Sequence, residues 1–112
     1  MTRKSAEKKE TDNAAVMADK LRYTQQLLTS LAKEDFPVLE NSAQELRRVA
    51  HEQWQANSSP EYRTHLQTFW TTLDGIESGA QRKQIEEATL AYMQMTLTCI
   101  RCHKALRRPD TP

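Results

Sequence analysis

The chain has 112 residues, with 16 Lys+Arg against 15 Asp+Glu and a net charge of +1, so its surface is sign-mixed and gives no general reason to expect nucleic-acid binding. Two glycines are too few for a phosphate-binding loop, and neither G-x-x-x-x-G-K-S/T nor G-x-G-x-x-G occurs. No apolar run approaches the roughly 20 residues that span a bilayer, so no membrane span is expected. What remains is one domain of a few helices joined by short connections.

Residues 1–11 lack apolar periodicity and read as a flexible charged tail. From Asp12 the pattern turns helical: Ala14, Met17, Leu21, Thr24, Leu28 and Leu31 form one seam, with Val16 and Leu27 widening it. Asp12 or Asn13 can cap this helix. Asp35 and Pro37 mark the start of a second helix, whose seam is Phe36, Leu39, Ala43, Leu46 and Ala50, flanked by Val49 and Trp54. Ser59 as cap with Pro60 at the first helical position starts a third, with Tyr62, Leu66, Phe69, Leu73 and Ile76 inward. Gly79 reads as its C-terminal cap. The fourth segment runs from about Ala80 to Arg108, with Ile85, Ala88, Tyr92, Met95, Cys99, Cys102 and Leu106 in line, and Pro109 ends it. Four amphipathic helices of similar length predict an all-α, antiparallel up-down-up-down four-helix bundle over residues 12–108.

The only two cysteines fall in Cys99-Ile100-Arg101-Cys102-His103. C-x-x-C-H is the attachment signature of c-type haem: two thiols on one helical face can each add to a vinyl group, and the histidine is placed to bind the iron. One covalent haem c is the expected cofactor, with His103 as the proximal ligand. Other readings fare worse. A structural zinc site wants four Cys/His ligands, and His51 and His65 sit off-seam on other helices. A redox dithiol would want a βαβ setting, and no strand is predicted. Simple burial of two small thiols stays compatible with the seam.

In this topology the start of the first helix lies at the same end as the close of the fourth. Met17 is therefore the thioether placed to reach the iron from across the bundle, and Met/His ligation raises the reduction potential. If Met17 only packs, the sixth site is open or covered by Leu21, and the iron becomes a site for nitric oxide or carbon monoxide. Met95 and Met93 are on the haem's own helix and are assigned to packing and surface. Arg101, Lys104, Arg107 and Arg108 cluster near the motif, suited to the helix C-terminus and to haem propionates. No constellation supports turnover of an organic substrate, so no enzyme is predicted. Met1–Asn13 is no secretory signal peptide, and haem c is attached outside the bacterial cytoplasm in most known systems. The expectation is a periplasmic or otherwise exported protein with its leader removed.

With the bundle and the C-terminal motif in place, the chain resembles the cytochrome c′ group over about residues 12–108. The resemblance is most specific from Ala91 to Arg107. It implies covalent haem at Cys99 and Cys102 and iron ligation by His103, with Arg107 matching a common arginine four residues after the histidine, at a propionate or the haem edge. Met17 matches the methionine of six-coordinate electron carriers in the wider group; five-coordinate members bind nitric oxide or carbon monoxide. Homodimers through the first two helices are common in the group, and redox proteins are the implied partners. The chain is shorter than typical members, and Ala105 and Leu106 stand where an aromatic is common.

Overall fold

The helices begin where the local chemistry dictates. The Asp35 side chain accepts a hydrogen bond from the Val38 N–H (3.3 Å), and α2 runs Phe36–Ala56 with Pro37 in its first turn. Ser59 Oγ accepts from the Tyr62 N–H (3.4 Å), and α3 runs Pro60–Gln81. α1 spans Thr2–Lys33 and α4 spans Ile85–Leu106. The computed structural model describes the backbone of residues 2–107 and the side chains of residues 14–107. Arg108 and Pro109, expected to close the fourth helix, lie outside the described residues.

Three boundaries differ from expectation. α1 starts at Thr2, so the charged run expected as a tail is continuous with the helix, and Asp12 and Asn13 are interior positions, not caps. Charged residues with good helix propensity propagate a helix already nucleated further along the chain. Gly79 is not a cap either. No glycine has positive φ, and α3 continues to Gln81. The left-handed residue is Lys83 (φ 56°), with the Gln84 N–H donating to Gly79 O (2.8 Å) and the Lys83 N–H to Ala80 O (3.2 Å). Glu34 (φ 52°) ends α1 the same way, with the Asp35 N–H donating to Ser30 O (2.9 Å). Both are Schellman closures built without glycine. Because α3 runs on and the closure occupies residues 82–84, α4 starts at Ile85 and not at Ala80.

Connections of two or three residues force each helix to lie antiparallel to the one before it. The cross-helix bonds agree: Ser42 Oγ donates to Gln26 Oε1 (3.2 Å), Gln53 Nε2 to Tyr62 OH (3.0 Å), and Arg47 bridges Asp74 (2.5 Å) and Glu77 (3.0 Å). Between α3 and α4, Gly75 lies against Ala91 and Gly79 against Ala88. The four-helix bundle is thus closed in the order α1, α2, α3, α4. Its fully buried interior is Leu27, Leu39, Leu46, Phe69, Leu73, Ile76 and Met95. Truncating any one of these leucines to alanine costs about 2–5 kcal/mol in a core of this kind. Arg63 ties down the end of α2, donating to Asn57 O (2.7 Å) and Trp54 O (3.0 Å) while lying over the Trp54 ring (4.6 Å).

Packing around the ring is uneven. α1–α2, α2–α3 and α3–α4 are in close contact, whereas α1 and α4 meet least closely among the described residues. They are also the one neighbouring pair with no loop between them. The expected seams hold on α2 and α3 and over most of α4. On α1 the inward residues are Leu27, Ser30 and Leu31, with Lys20 and Tyr23 behind them; Leu21 (59% exposed) and Leu28 (55%) are not inward. Leu106 is likewise exposed, and half-buried Ala105 takes the inward place. No described helix is long and apolar enough to cross a membrane.

Candidate functional site

The face on which each side chain lies follows from helix phase and from the grooves on either side. On α4, Gln94, Leu97, Thr98 and Arg101 line a groove shared with Thr64, Gln67 and Thr68 of α3, which fixes the α3 flank of this helix. Cys99 and Cys102 are half-buried on the inward face, and Cys99 packs against the core. His103 is four residues after Cys99, about 40° further round, on the flank away from α3. It therefore faces the α1 side, exposed, with Tyr92, Thr96 and Ile100. Ile100, His103, Leu106 and Arg107 line a shallow depression of about 360 Å³ there.

The opposite lip comes from α1. Arg22, Gln25, Gln26 and Thr29 line the groove shared with α2. Met17, Leu21, Thr24 and Leu28 are thus on the other flank, toward α4. Met17 and Thr24 are half-buried. Leu21 and Leu28 on α1, and Ile100 (55% exposed) and Leu106 on α4, leave apolar side chains exposed on the two helices that border the loosely packed seam. Leu21 is exposed at this lip, where α1 and α4 meet least closely among the described residues.

Between the lips is a polar element that sequence periodicity had not marked. Lys20 is half-buried, and its ammonium reaches inward to the buried side chains of Gln53 and Phe69. That ammonium donates to Gln53 Oε1 (3.1 Å) and lies 4.2 Å over the Phe69 ring. Gln53 is buried and donates in turn to Tyr62 OH, which leaves its carbonyl oxygen directed at Lys20. Among the described residues no carboxylate pairs with Lys20. Burial lowers its pKa, while the neighbouring Cys99 and Cys102 positions work in the opposite sense. Burial pushes both thiols above their ordinary value, and the Lys20 charge offsets part of that rise. The Tyr62 hydroxyl is raised by its own burial and then by Cys102.

No family model, curated protein or solved structure matches this chain.

The structure brings Cys99 and Cys102 together on the inward face and His103 beside them on the α1 flank. Met17 is on the same stripe as Lys20, one turn nearer the N-terminus. Arg107 closes α4, its N–H donating to His103 O (3.0 Å) and its side chain exposed. Met95 is fully buried and Met93 is 61% exposed, as their register implies. His51 is exposed and lies against Trp70 (6.4 Å), and His65 is half-buried; neither joins the cysteines. Among the described residues no three His, Cys, Asp or Glu side chains come together as a metal-binding group. Lys20 and Gln53 were the residues missed. Their signal was present: Lys20, Leu27 and Leu31 are spaced seven and four, and Leu46, Val49 and Gln53 three and four, so both polar residues continue the true inward stripes.

Proposed function

We propose that this chain is a monohaem c-type cytochrome of the cytochrome c′ kind that carries electrons. One haem c is bonded to Cys99 and Cys102, with His103 as the proximal iron ligand. The observation that carries this reading is the placement of both thiols on the inward face of α4 with the imidazole beside them on its α1 flank, at the helix–helix seam that is least closely packed among the described residues. A flat apolar group needs such a seam, and Leu21, Leu28, Ile100 and Leu106 give it apolar lips. The donor set fits: two thiols for thioether bonds and an imidazole on the same helix.

Bound haem supplies a one-electron iron couple. The chain's own work is to hold, cover and orient. α4 fixes the attachment face through its close packing on α3, and the aliphatic lips limit water. The exposed Arg107 guanidinium is placed for a propionate or the haem edge. Met17, on the α4 flank of α1, is the proposed distal ligand, and its thioether favours electron transfer over gas binding. An open distal face, with nitric oxide or carbon monoxide as ligand, is the alternative that a loosely packed seam keeps in play. A dithiol redox role is less well supported, since catalytic C-x-x-C thiols have lowered pKa values and both thiols here are raised. Export to a compartment such as the periplasm, redox proteins as partners and a homodimer belong to the same proposal.

The test is co-expression with a haem-c maturation system, followed by intact mass and an absorption spectrum with and without carbon monoxide. The expected result is one haem added covalently and a low-spin spectrum insensitive to carbon monoxide, converted to high spin by Met17→Ala. A high-spin, carbon monoxide-responsive spectrum in both proteins would favour the gas-binding alternative. No covalent haem after maturation would refute the proposal.

A further inference from the structure

Lys20 is the least expected feature of the interior. A buried ammonium is costly unless strongly partnered, yet its partners here are dipoles: an amide oxygen and an aromatic face. Both suit a cation and neither neutralises it. Gln53 is itself held by Tyr62, so the acceptor is fixed before the lysine reaches it. The antiparallel register sets Lys20 level with Gln53 on α2 and with the Cys99–Cys102 turn on α4. The network therefore holds a net positive charge at the place where the proposed function puts the haem.

We infer that Lys20 sets the redox poise of this site: its ammonium, held by Gln53 and Phe69 beside the Cys99–Cys102 face, biases the adjoining iron toward its reduced state. The inference rests on the proposed haem attachment. Oxidation of the iron removes one electron and leaves one more positive charge, so a fixed cation nearby disfavours the oxidised form. A unit charge roughly 10 Å from a redox centre, at an effective dielectric of about 20, changes a one-electron equilibrium by about tenfold or more. Salt screens a buried charge much less than one at the surface. Lys20 is a positioning and electrostatic residue in this account, and iron ligation stays with His103 and Met17.

The experiment uses the full haem-loaded chain and three variants, Lys20→Gln, Lys20→Met and Lys20→Arg. Intact mass confirms attachment, and a potentiometric titration followed by absorbance gives the midpoint. Both neutral variants are expected to shift the equilibrium toward oxidised iron by about tenfold, a fall of about 59 mV for one electron. Lys20→Arg is expected to stay within about threefold of the wild type, and the spin state to be the same in all four proteins. A polar and an apolar replacement are both included because one of them should preserve the fold. An unchanged midpoint in either neutral variant overturns the inference, as does an arginine variant that shifts as far as the neutral ones. A change of spin state in the neutral variants also overturns it, since Lys20 would then act on the iron's ligation and not through its charge alone. Wild-type protein without covalent haem overturns the proposed function and this inference together, whereas the other failures leave haem attachment standing.

Discussion

The close approach of α3 to α4 fixes the face on which α4 carries its two cysteines, and Gly79→Ala tests that approach directly. A Cβ built on Gly79 falls 2.7 Å from the Ala88 nitrogen and 2.9 Å from its Cα and Cβ. These are backbone atoms and a methyl, with no flexible end that can swing away. To reach ordinary contact, α4 must withdraw by roughly 0.7 Å, a gap that forfeits about a quarter to a half of the dispersion well for each contact it opens. The contacts at risk are those of Ile76, Ala80, Ala88 and Ala91, all buried. Overpacking of this kind costs about 1–3 kcal/mol, with a backbone clash toward the upper end. Gly79 is helical and its φ is not positive, so alanine returns about 1 kcal/mol of helix propensity. The net is a loss of about 1–2 kcal/mol. At about 4–8 °C per kcal/mol for a domain near this size, Tm falls by roughly 5–15 °C. Gly75→Ala is the internal control. Its Cβ meets only the Ala91 side chain, at 2.9 Å, and the same propensity gain should leave it within about 1 kcal/mol of wild type. Thermal unfolding by circular dichroism reads both. A Gly79→Ala protein as stable as wild type, or less affected than Gly75→Ala, would refute the reasoning.

Lys83→Gly relieves a left-handed residue that pays about 1–2 kcal/mol for its Cβ. Set against the greater freedom of glycine in the unfolded chain, a Tm gain of a few degrees is expected, and a loss would mean that the Lys83 side chain contributes something unseen. The raised thiols predict alkaline sensitivity in the haem-free protein: the stability they contribute is full below their ordinary value, near about 8.5, and is lost as pH rises through the folded values. Lys20, lowered by burial, has the opposite sign, so the comparison is made against a Cys99→Ser/Cys102→Ser double variant. Denaturant unfolding from about pH 8 to about pH 10 should show a smaller loss in the double variant, and parallel curves would exclude the thiols as the cause. Arg63→Ala removes two bonds to the last carbonyls of α2 and the contact with Trp54. It should cost about 1–3 kcal/mol in the same assay, and a cost below about half a kcal/mol would show that water replaces the guanidinium fully.

Most of the fold was legible because heptad-like spacing, two good N-caps and two prolines agree on the same helices. The placement of the cysteines was legible as well, since their register with Met95 puts both thiols on the inward face, where they are half-buried. The errors share a physical origin. Leu21 and Leu28 were assigned inward because they are apolar at helical spacing, but spacing alone cannot say which side of a broad stripe faces the core. Their true neighbour is a seam that α1 and α4 leave open, where apolar side chains stay exposed. Lys20 and Gln53 were passed over because polar residues are usually outside, and nothing local reveals that each supplies what the other needs. Gly79 was read as a cap because glycine commonly ends helices. Its other use, letting two backbones approach, depends on Ala88, nine residues later and in another helix.

The location of the open seam is a consequence of topology. In an up-down-up-down bundle, three of the four neighbouring pairs are tied by connections of two or three residues, which hold those helices close whatever their side chains. The fourth pair, α1 and α4, has no such tie, so its spacing is set by side chains alone. Small residues draw α3 and α4 together at Gly75 and Gly79, whereas the α1–α4 pair has leucines, Ile100 and a buried ammonium where a close seam would want glycine or alanine. Inserting a rigid plate between α2 and α3 would strain their short loop; between α1 and α4 it strains none. The helix that carries Cys99 and Cys102 on its inward face and His103 on its α1 flank is one of the two that border this seam. Swapping the two seams' chemistry by Leu21→Ala and Leu28→Ala should accordingly leave the haem-free bundle nearly as stable, within about 0.5 kcal/mol per exposed site, while loosening the grip on any group bound there. A large loss of haem-free stability would show that the lips already pack on each other, and the seam would have to be regarded as closed.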